Sequence, residues 1–305
     1  MADISHEAIM AEIRSDMDTI ALDQSLYDEK NFEKRRDALD FLSFQIIDQL
    51  DDLLHKTAPG AELNLVKRRA EKLKTELDEI DASLFQQFRK KIQTGLRREE
   101  FKTVVGEYIN LDSNDNPHHD EPGYDNMDEF INGLLSFQPM PEQTKALEPE
   151  MVFYQKTPAR IVFELVVKAD FKAGDVFFDL GCGLGQVAIL VNLLTGVKAV
   201  GVEFEPGFCQ YAHDCAVGLN LSNITFINAD ARSADYSEGT VFFMYTPFSG
   251  QILQDVLDIL RKESLRRTIR IITYGPCTTQ VELESWLKRV GAPDDNVYKL
   301  AVFSS

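Results

Sequence analysis

Residues 175–186 read Asp-Val-Phe-Phe-Asp-Leu-Gly-Cys-Gly-Leu-Gly-Gln, a short apolar run closed by an acid and followed by glycines at alternate positions. A run this short, bounded by turn residues, reads as a buried strand. The glycines let the chain turn sharply and let a ligand approach the backbone closely. Residues 185–194 then take up helical spacing, so the unit is strand, glycine turn, helix. The same alternation continues to the end of the chain. Strands are expected over 198–203, 224–228, 240–245, 268–274 and 297–303, and helices over 207–219, 251–261 and 280–289. Short apolar strands alternating with amphipathic helices predict an α/β fold, a doubly wound, mainly parallel sheet covered on both faces. Ligands of such sheets bind beyond the carboxyl ends of the strands, where the winding reverses.

The first half has another character. Ile9, Ile13, Met17 and Ile20 recur at helical spacing. So do Leu39, Leu42, Ile46, Leu50 and Leu53, and again Leu73, Leu77, Ile80, Leu84, Phe88 and Ile92. Each set is one apolar stripe on a charged helix, and Pro59-Gly60 punctuates the last two. Residues 1–150 carry 33 acidic and 18 basic side chains, against 17 and 14 in residues 151–305. The expected organisation is an all-helical N-terminal bundle over 1–111, an acidic linker and short helix over 112–150, and the α/β domain over 151–305. Residues 112–129 hold seven acids and no Lys or Arg, with Pro117, Pro122 and Gly123, and read as a connecting loop. His118-His119-Asp120 within it lacks the scaffold that brings metal ligands together, so no metal site is expected.

With 32 Lys and Arg against 50 Asp and Glu, the net charge is -18. That balance disfavours non-specific attraction to nucleic acid or to anionic membranes. No apolar run approaches the roughly 18–20 residues of a membrane span, and the first residues lack the pattern of a secretory signal. Cys182, Cys209, Cys215 and Cys277 show no C-x-x-C spacing, which argues for reduced thiols in a cytoplasmic protein.

Glycine spacing narrows the ligand. A dinucleotide fingerprint would need a third glycine at position 186, which is Gln186, and no P-loop pattern is present. The order Asp179, Gly181, Gly183, Gly185 resembles the first motif of the class I S-adenosylmethionine-dependent methyltransferases. Glu203 at the end of the second expected strand and Asp230 just after the third fall where this family has two further acids. The resemblance covers about residues 150–305. It implies a Rossmann-like methyltransferase sheet, with S-adenosylmethionine as cofactor, the glycines shaping its loop, Glu203 on the ribose hydroxyls and Asp230 on the adenine amine. From the residues alone, Glu203 also reads as a helix-start acid. Glu205 is expected to face solvent. Gly185-Gln186-Val187 and Val200-Gly201-Val202-Glu203 are similar to the non-SET histone lysine methyltransferases, which carry an Asn-Phe pair where this chain has Tyr245-Thr246-Pro247-Phe248.

Methyl transfer from a sulfonium is an in-line displacement in which alignment supplies much of the rate, so few side chains are compulsory. In the family the segment after the fourth strand lies beside the transferring methyl, which makes Tyr245 the candidate catalytic residue. Phe248 could stack on an acceptor, and both could equally be strand-end core aromatics. Upstream, Tyr154 and Thr157 sit where the family folds a segment over the methionine end of the cofactor. Read locally, Thr157-Pro158 is a helix cap. Cys277 reads as a buried, inert thiol. About 15 residues follow Arg289, room for one clear strand, so residues 1–150 are expected to close the acceptor site, with the acidic loop near its mouth. The leading expectation is a methyltransferase with an unknown acceptor, an amine, basic protein or small molecule rather than nucleic acid. Two rivals stand beside it: a catalytically weak fold that recruits a protein partner through its helical half, and a nicotinamide-dependent oxidoreductase, which the glycine spacing disfavours.

Overall fold

The computed structural model describes residues 6–56, 61–111 and 123–305. Pro59-Gly60, His118-His119-Asp120 and most of the acidic loop lie outside those residues. Two compact units emerge: Met1–Phe88 with Val105–Asn110, and Arg89–Val104 with Leu111–Ser305.

The first unit is helical. It holds α1 (His6–Leu22), α2 (Phe32–Asp40), a π-helical stretch (Phe41–Ile47) running straight into α3 (Asp48–Lys56), and most of α4 (Ala61–Gln93). The apolar stripes form its core: Ile13, Met17, Leu39, Leu42, Ile46, Leu50 and Leu77 are all buried together. One buried group breaks that pattern. Arg35 is fully buried, donates from Nε to Asp81 Oδ1 at 2.6 Å, and reaches the Leu26 and Asp28 carbonyls at 3.0 and 2.8 Å. A guanidinium can be buried only when its donors are satisfied this fully.

The second unit takes in the end of α4, nearly all of α5 (Arg98–Val105), and then α6 (Asn126–Leu135) and α7 (Ala159–Ala169). The sheet half then alternates as expected: β1 (Val176–Leu180), α8 (Gln186–Thr195), β2 (Lys198–Glu203), α9 (Pro206–Gly218), β3 (Ile224–Asn228), β4 (Val241–Met244), α10 (Gly250–Ser264) and β5 (Arg270–Thr273). Its end is α11 (Cys277–Glu282), β6 (Lys288–Val290) and β7 (Ala301–Ser304). Strand order is β3-β2-β1-β4-β5-β7-β6, parallel from β3 through β5, with β7 antiparallel to both β5 and β6. The winding reverses between β1 and β4, so the carboxyl ends of these two strands mark the expected ligand crevice.

The end of the chain departs from the sequence reading. The helix expected over 280–289 stops at Glu282, and Arg289 instead lies in β6, opposite Phe303 of β7. Leu283 is exposed while Leu287 is buried, so the apolar positions do not keep a helical face. Pairing with β7 outweighs local helix propensity here. Two antiparallel strands therefore follow the last helix, β6 a stub of three residues and β7 the clear strand.

Candidate active site

Beyond the carboxyl ends of β1, β2 and β4 lies a cavity of about 440 Å³. The glycine turn forms its floor. Gly181, Gly183 and Gly185 all adopt positive φ, at 73°, 52° and 81°. At Gly183 a Cβ would run into the Tyr154 ring, so a glycine here is required by both backbone and packing. Gly181 lines the cavity, whereas Gly183 and Gly185 do not: they let Tyr154, and Ala212 with Phe226, pack close to the turn.

Two acids stand over this turn. Glu203, at the end of β2, is buried; its Oε2 accepts the Gly183 N–H at 2.7 Å and its Oε1 the Glu205 N–H at 2.8 Å. Burial raises its pKa against the pull of these hydrogen bonds. Asp179, in β1, is buried as well, and its Oδ2 has no hydrogen-bond partner among the described residues. Burial first, and then the charge of Glu203, push Asp179 up to about 8. A buried acceptor without a donor is rare in a finished fold and marks a place where a ligand donor fits.

Asp230 lines the cavity just past β3. It is held by Arg232, whose Nε lies 3.0 Å from Oδ1 and whose Nη2 lies 2.6 Å from Oδ2. That guanidinium keeps the Asp230 carboxyl below its ordinary range. Oδ1 also accepts the Arg232 backbone N–H at 2.8 Å, and Oδ2 lies 3.2 Å from Arg232 Nε.

The opposite wall comes from the segment between α6 and α7. Tyr154 packs on Phe208 with ring centroids 5.4 Å apart, and Thr157 is buried with its carbonyl accepting from Gln186 Nε2 at 2.8 Å. The cap reading of Thr157 does not hold. Pro158 occupies the cap position of α7, and the acceptor is Asp128 Oδ1, 2.7 Å from the Ala159 N–H. Asp128 also accepts the Asp125 N–H in a capping box at the start of α6. Glu205 is a second correction. It is buried, and accepts from Thr144 N, Thr144 Oγ1 and Lys145 N at 2.9, 2.7 and 2.8 Å. Burial alone would raise its pKa, but these bonds and that of Gly207 N–H hold it at about 2. It also caps α9, accepting the Gly207 N–H at 3.2 Å, with Pro206 at the first helical position. No local sequence feature announces Arg232 or Asp128.

At the mouth, Tyr245 lines the cavity and donates to Gln155 Oε1 at 3.3 Å. Its ring lies 4.9 Å from that of Tyr274, which lies 6.0 Å from that of Tyr298. Thr246 follows with φ 39°, an uncommon conformation for a β-branched residue. Its Oγ1 fixes the turn by donating to the Tyr274 carbonyl at 3.2 Å and accepting the Cys277 N–H at 3.1 Å. Phe248 is buried in the sheet core and touches the cavity from there. Cys277 is buried, and burial raises its thiol pKa. From the stretch expected to close the site, Gln143 and Leu147 line the cavity. The described end of the acidic loop is tied nearby, Gly123 O accepting from Arg160 and Tyr124 donating to Lys156 O.

This glycine turn, with an acid at the end of each of two adjacent strands and a third after the next, is matched by known families. Residues 149–279 match the family model described as histone methylation protein DOT1. By this match, over less than half of the chain, the sheet half is similar to the class I S-adenosylmethionine-dependent methyltransferases. Among relatives of this methyltransferase half, phosphoethanolamine N-methyltransferase 1 of Triticum aestivum is 26% identical over 134 residues, 42% of this chain and 27% of that protein. The H3 lysine-79 specific histone-lysine N-methyltransferase of Dictyostelium discoideum is 29% identical over 117 residues, 33% of this chain and 6% of that protein. A protein-lysine N-methyltransferase of Saccharolobus islandicus is 24% identical over 141 residues, 44% of this chain and 79% of that protein. The chain thus spans about a quarter or less of the first two relatives.

The cavity suits S-adenosylmethionine. Glu203 keeps acceptor capacity beyond its two backbone bonds, enough for a ribose diol. The partnerless Asp179 Oδ2 is a second buried polar oxygen beside it, able to donate while Asp179 is protonated and to accept once it is not.

Proposed function

We propose that the sheet half transfers the methyl group of S-adenosylmethionine to an amino nitrogen, with a lysine-type amine on a protein as the leading acceptor. The observation that carries the reading is the buried pair of acids at the switch point, Glu203 bonded to the glycine turn and Asp179 with a partnerless oxygen. In this reading Glu203 holds the ribose and Asp230, oriented by Arg232, the adenine amine. Asp179, Gly181, Gly183 and Gly185 shape the cofactor loop, and Tyr154 and Thr157 flank the methionine end. Bound S-adenosylmethionine supplies an electrophilic methyl on its sulfonium sulfur. The chain supplies alignment. Tyr245 keeps its proton at neutral pH, because burial and neighbouring tyrosines push it up to about 12. It therefore acts as a donor and wall rather than as a base, and the amine must arrive neutral.

Three features support a protein amine. The matching family model is one of histone methylation. Two of the relatives are lysine N-methyltransferases by name. The net charge of -18 favours the approach of a basic protein segment over nucleic acid. The helical unit is the candidate contact for a protein partner, with Leu22, Phe44 and Leu65 exposed on it. Four buried, unpaired cysteines accord with a reducing, cytoplasmic setting, and no helix among the described residues is long and apolar enough to cross a membrane.

The test has two stages. Calorimetric titration of the full chain with S-adenosylmethionine and S-adenosylhomocysteine should give micromolar binding that Glu203→Ala abolishes. Transfer of labelled methyl should then be seen on lysine-rich peptides before ethanolamine-type small amines or RNA. Absence of binding to either compound overturns the cofactor reading. Binding with transfer to RNA alone overturns the acceptor.

A further inference from the structure

Between α6 and α7 the chain runs from residue 136 to 158 with no helix or strand of its own. A segment this long inside a compact unit is fixed only by its anchors. It has several. Met151 forms an isolated bridge with Phe248, and Glu150 Oε2 accepts the Ile252 N–H of α10 at 2.8 Å. Tyr154 lies against Gly183. Glu148 pairs with Arg232, although half in solvent. A further anchor is Glu205. A carboxylate that merely capped α9 would need only its bond to Gly207. Instead three further bonds go to Thr144 and Lys145, about sixty residues away in sequence. Lys145 adds to the seam by donating to the Phe204 carbonyl at 2.9 Å and lying 4.1 Å from the Phe204 ring centre.

The same turn serves Glu203. The Glu205 backbone N–H donates to Glu203 Oε1, while Asn228 Nδ2 binds the Glu203 and Phe204 carbonyls at 2.9 and 3.0 Å. One residue thus offers its backbone to the acid that faces the cavity and its side chain to the strap that covers it.

We propose that Glu205 is a positioning residue of the cofactor site, clasping Thr144 and Lys145 so that the strap through Gln143, Leu147 and Tyr154 closes over the pocket. The inference rests on the methyltransferase reading above. Glu205 lines the cavity beside Glu203, but its carboxylate oxygens are taken up by Thr144 and Lys145, so it acts through the strap.

Hydrogen exchange of the ligand-free chain and calorimetry with S-adenosylhomocysteine test it together, on the wild type, Glu205→Ala and Thr144→Val. In Glu205→Ala the Thr144 and Lys145 amides should exchange at least tenfold faster while those of β1 and α8 stay protected, and affinity should fall at least tenfold. Thr144→Val, which loses only the hydroxyl bond, should weaken binding about threefold with the fold intact. Faster exchange at 144–145 with unchanged affinity overturns the proposal. If Glu205→Ala loosens the whole sheet, Thr144→Val decides, and unchanged affinity in that variant overturns it. A wild type that binds neither S-adenosylmethionine nor S-adenosylhomocysteine overturns the cofactor reading and the proposal with it. Wild-type binding that survives in both variants overturns the proposal alone.

Discussion

Glu203 Oε2 accepts the Gly183 N–H at 2.7 Å, so the acid ending β2 holds the glycine turn that ends β1 before any ligand arrives. Its other oxygen holds the Glu205 N–H. Glu203→Ala strands both donors in a buried place, and an unsatisfied buried donor costs about 1–3 kcal/mol. Glu203→Gln keeps one acceptor oxygen and should cost less. Urea unfolding of the ligand-free variants is expected to rank them wild type, Gln, Ala. An alanine variant as stable as the wild type would show that the turn stands without its acid.

Asp179 gives the fold a pH dependence of definite sign. In the folded chain it keeps its proton to about pH 8, whereas an unfolded aspartate releases it near 3.9. Between those values the folded state binds the extra proton, so stability falls as pH rises through the window. The contribution is limited to about 1.4 kcal/mol per pH unit, the value for one proton. Glu203, also raised, works in the same direction. Asp179→Asn should flatten the slope between pH 5 and 8 in urea titrations. Equal slopes in variant and wild type would place the titration elsewhere.

The parts of the site written in short stretches of sequence were readable, and the parts made by distant contacts were not. Asp179 through Gly185 is one turn, and its alternating glycines correspond to three positive φ values in the structure. Glu203 ends an apolar strand, and the parallel pairing of β2 with β1 brings it beside that turn. The stripes of α1, α2 and α4 could be read because helical burial is periodic, as with Ile13, Met17 and Leu77. Arg35 could not, since Asp81 and the Leu26, Asp28 and Glu29 carbonyls, all outside its own helix, make its burial tolerable. Glu205 was misplaced in solvent because its partners at 144 and 145 lie outside any periodic element. The helix expected through Arg289 failed because β7 offered a ladder that local propensity does not register.

Gly183 and Tyr154 should be coupled energetically. A methyl at Gly183 enters the Tyr154 ring, and φ is 52° there. Gly183→Ala is expected to cost about 1–3 kcal/mol by overpacking, with roughly 1–2 more for the left-handed backbone. Tyr154→Ala removes the obstacle but not the backbone strain. In the double variant the overpacking should disappear, giving a coupling of about 1–2 kcal/mol in a denaturation cycle. Additive losses would mean that the ring is not what requires the glycine.

Tyr245 can be tested as wall or as acid–base group. With its hydroxyl pushed up to about 12, it stays protonated throughout the neutral range, so no rate limb between pH 6 and 9 should trace to it. Its hydrogen bond to Gln155 is long, at 3.3 Å, and exposed; an exposed neutral bond contributes about 0.5–1.5 kcal/mol at most. Tyr245→Phe keeps the ring against Tyr274 and should lower kcat by no more than about tenfold, with the pH profile unchanged. Tyr245→Ala opens the mouth between Gln155 and Tyr274 and should cost more in kcat, since small errors of alignment are expensive in an in-line displacement. Affinity for S-adenosylhomocysteine should hold within about threefold in both variants, because Tyr245 lies at the mouth and makes no bond to Glu203 or Asp230. A phenylalanine variant that loses activity as fully as alanine, with an altered pH profile, would make the hydroxyl a participant in the chemistry.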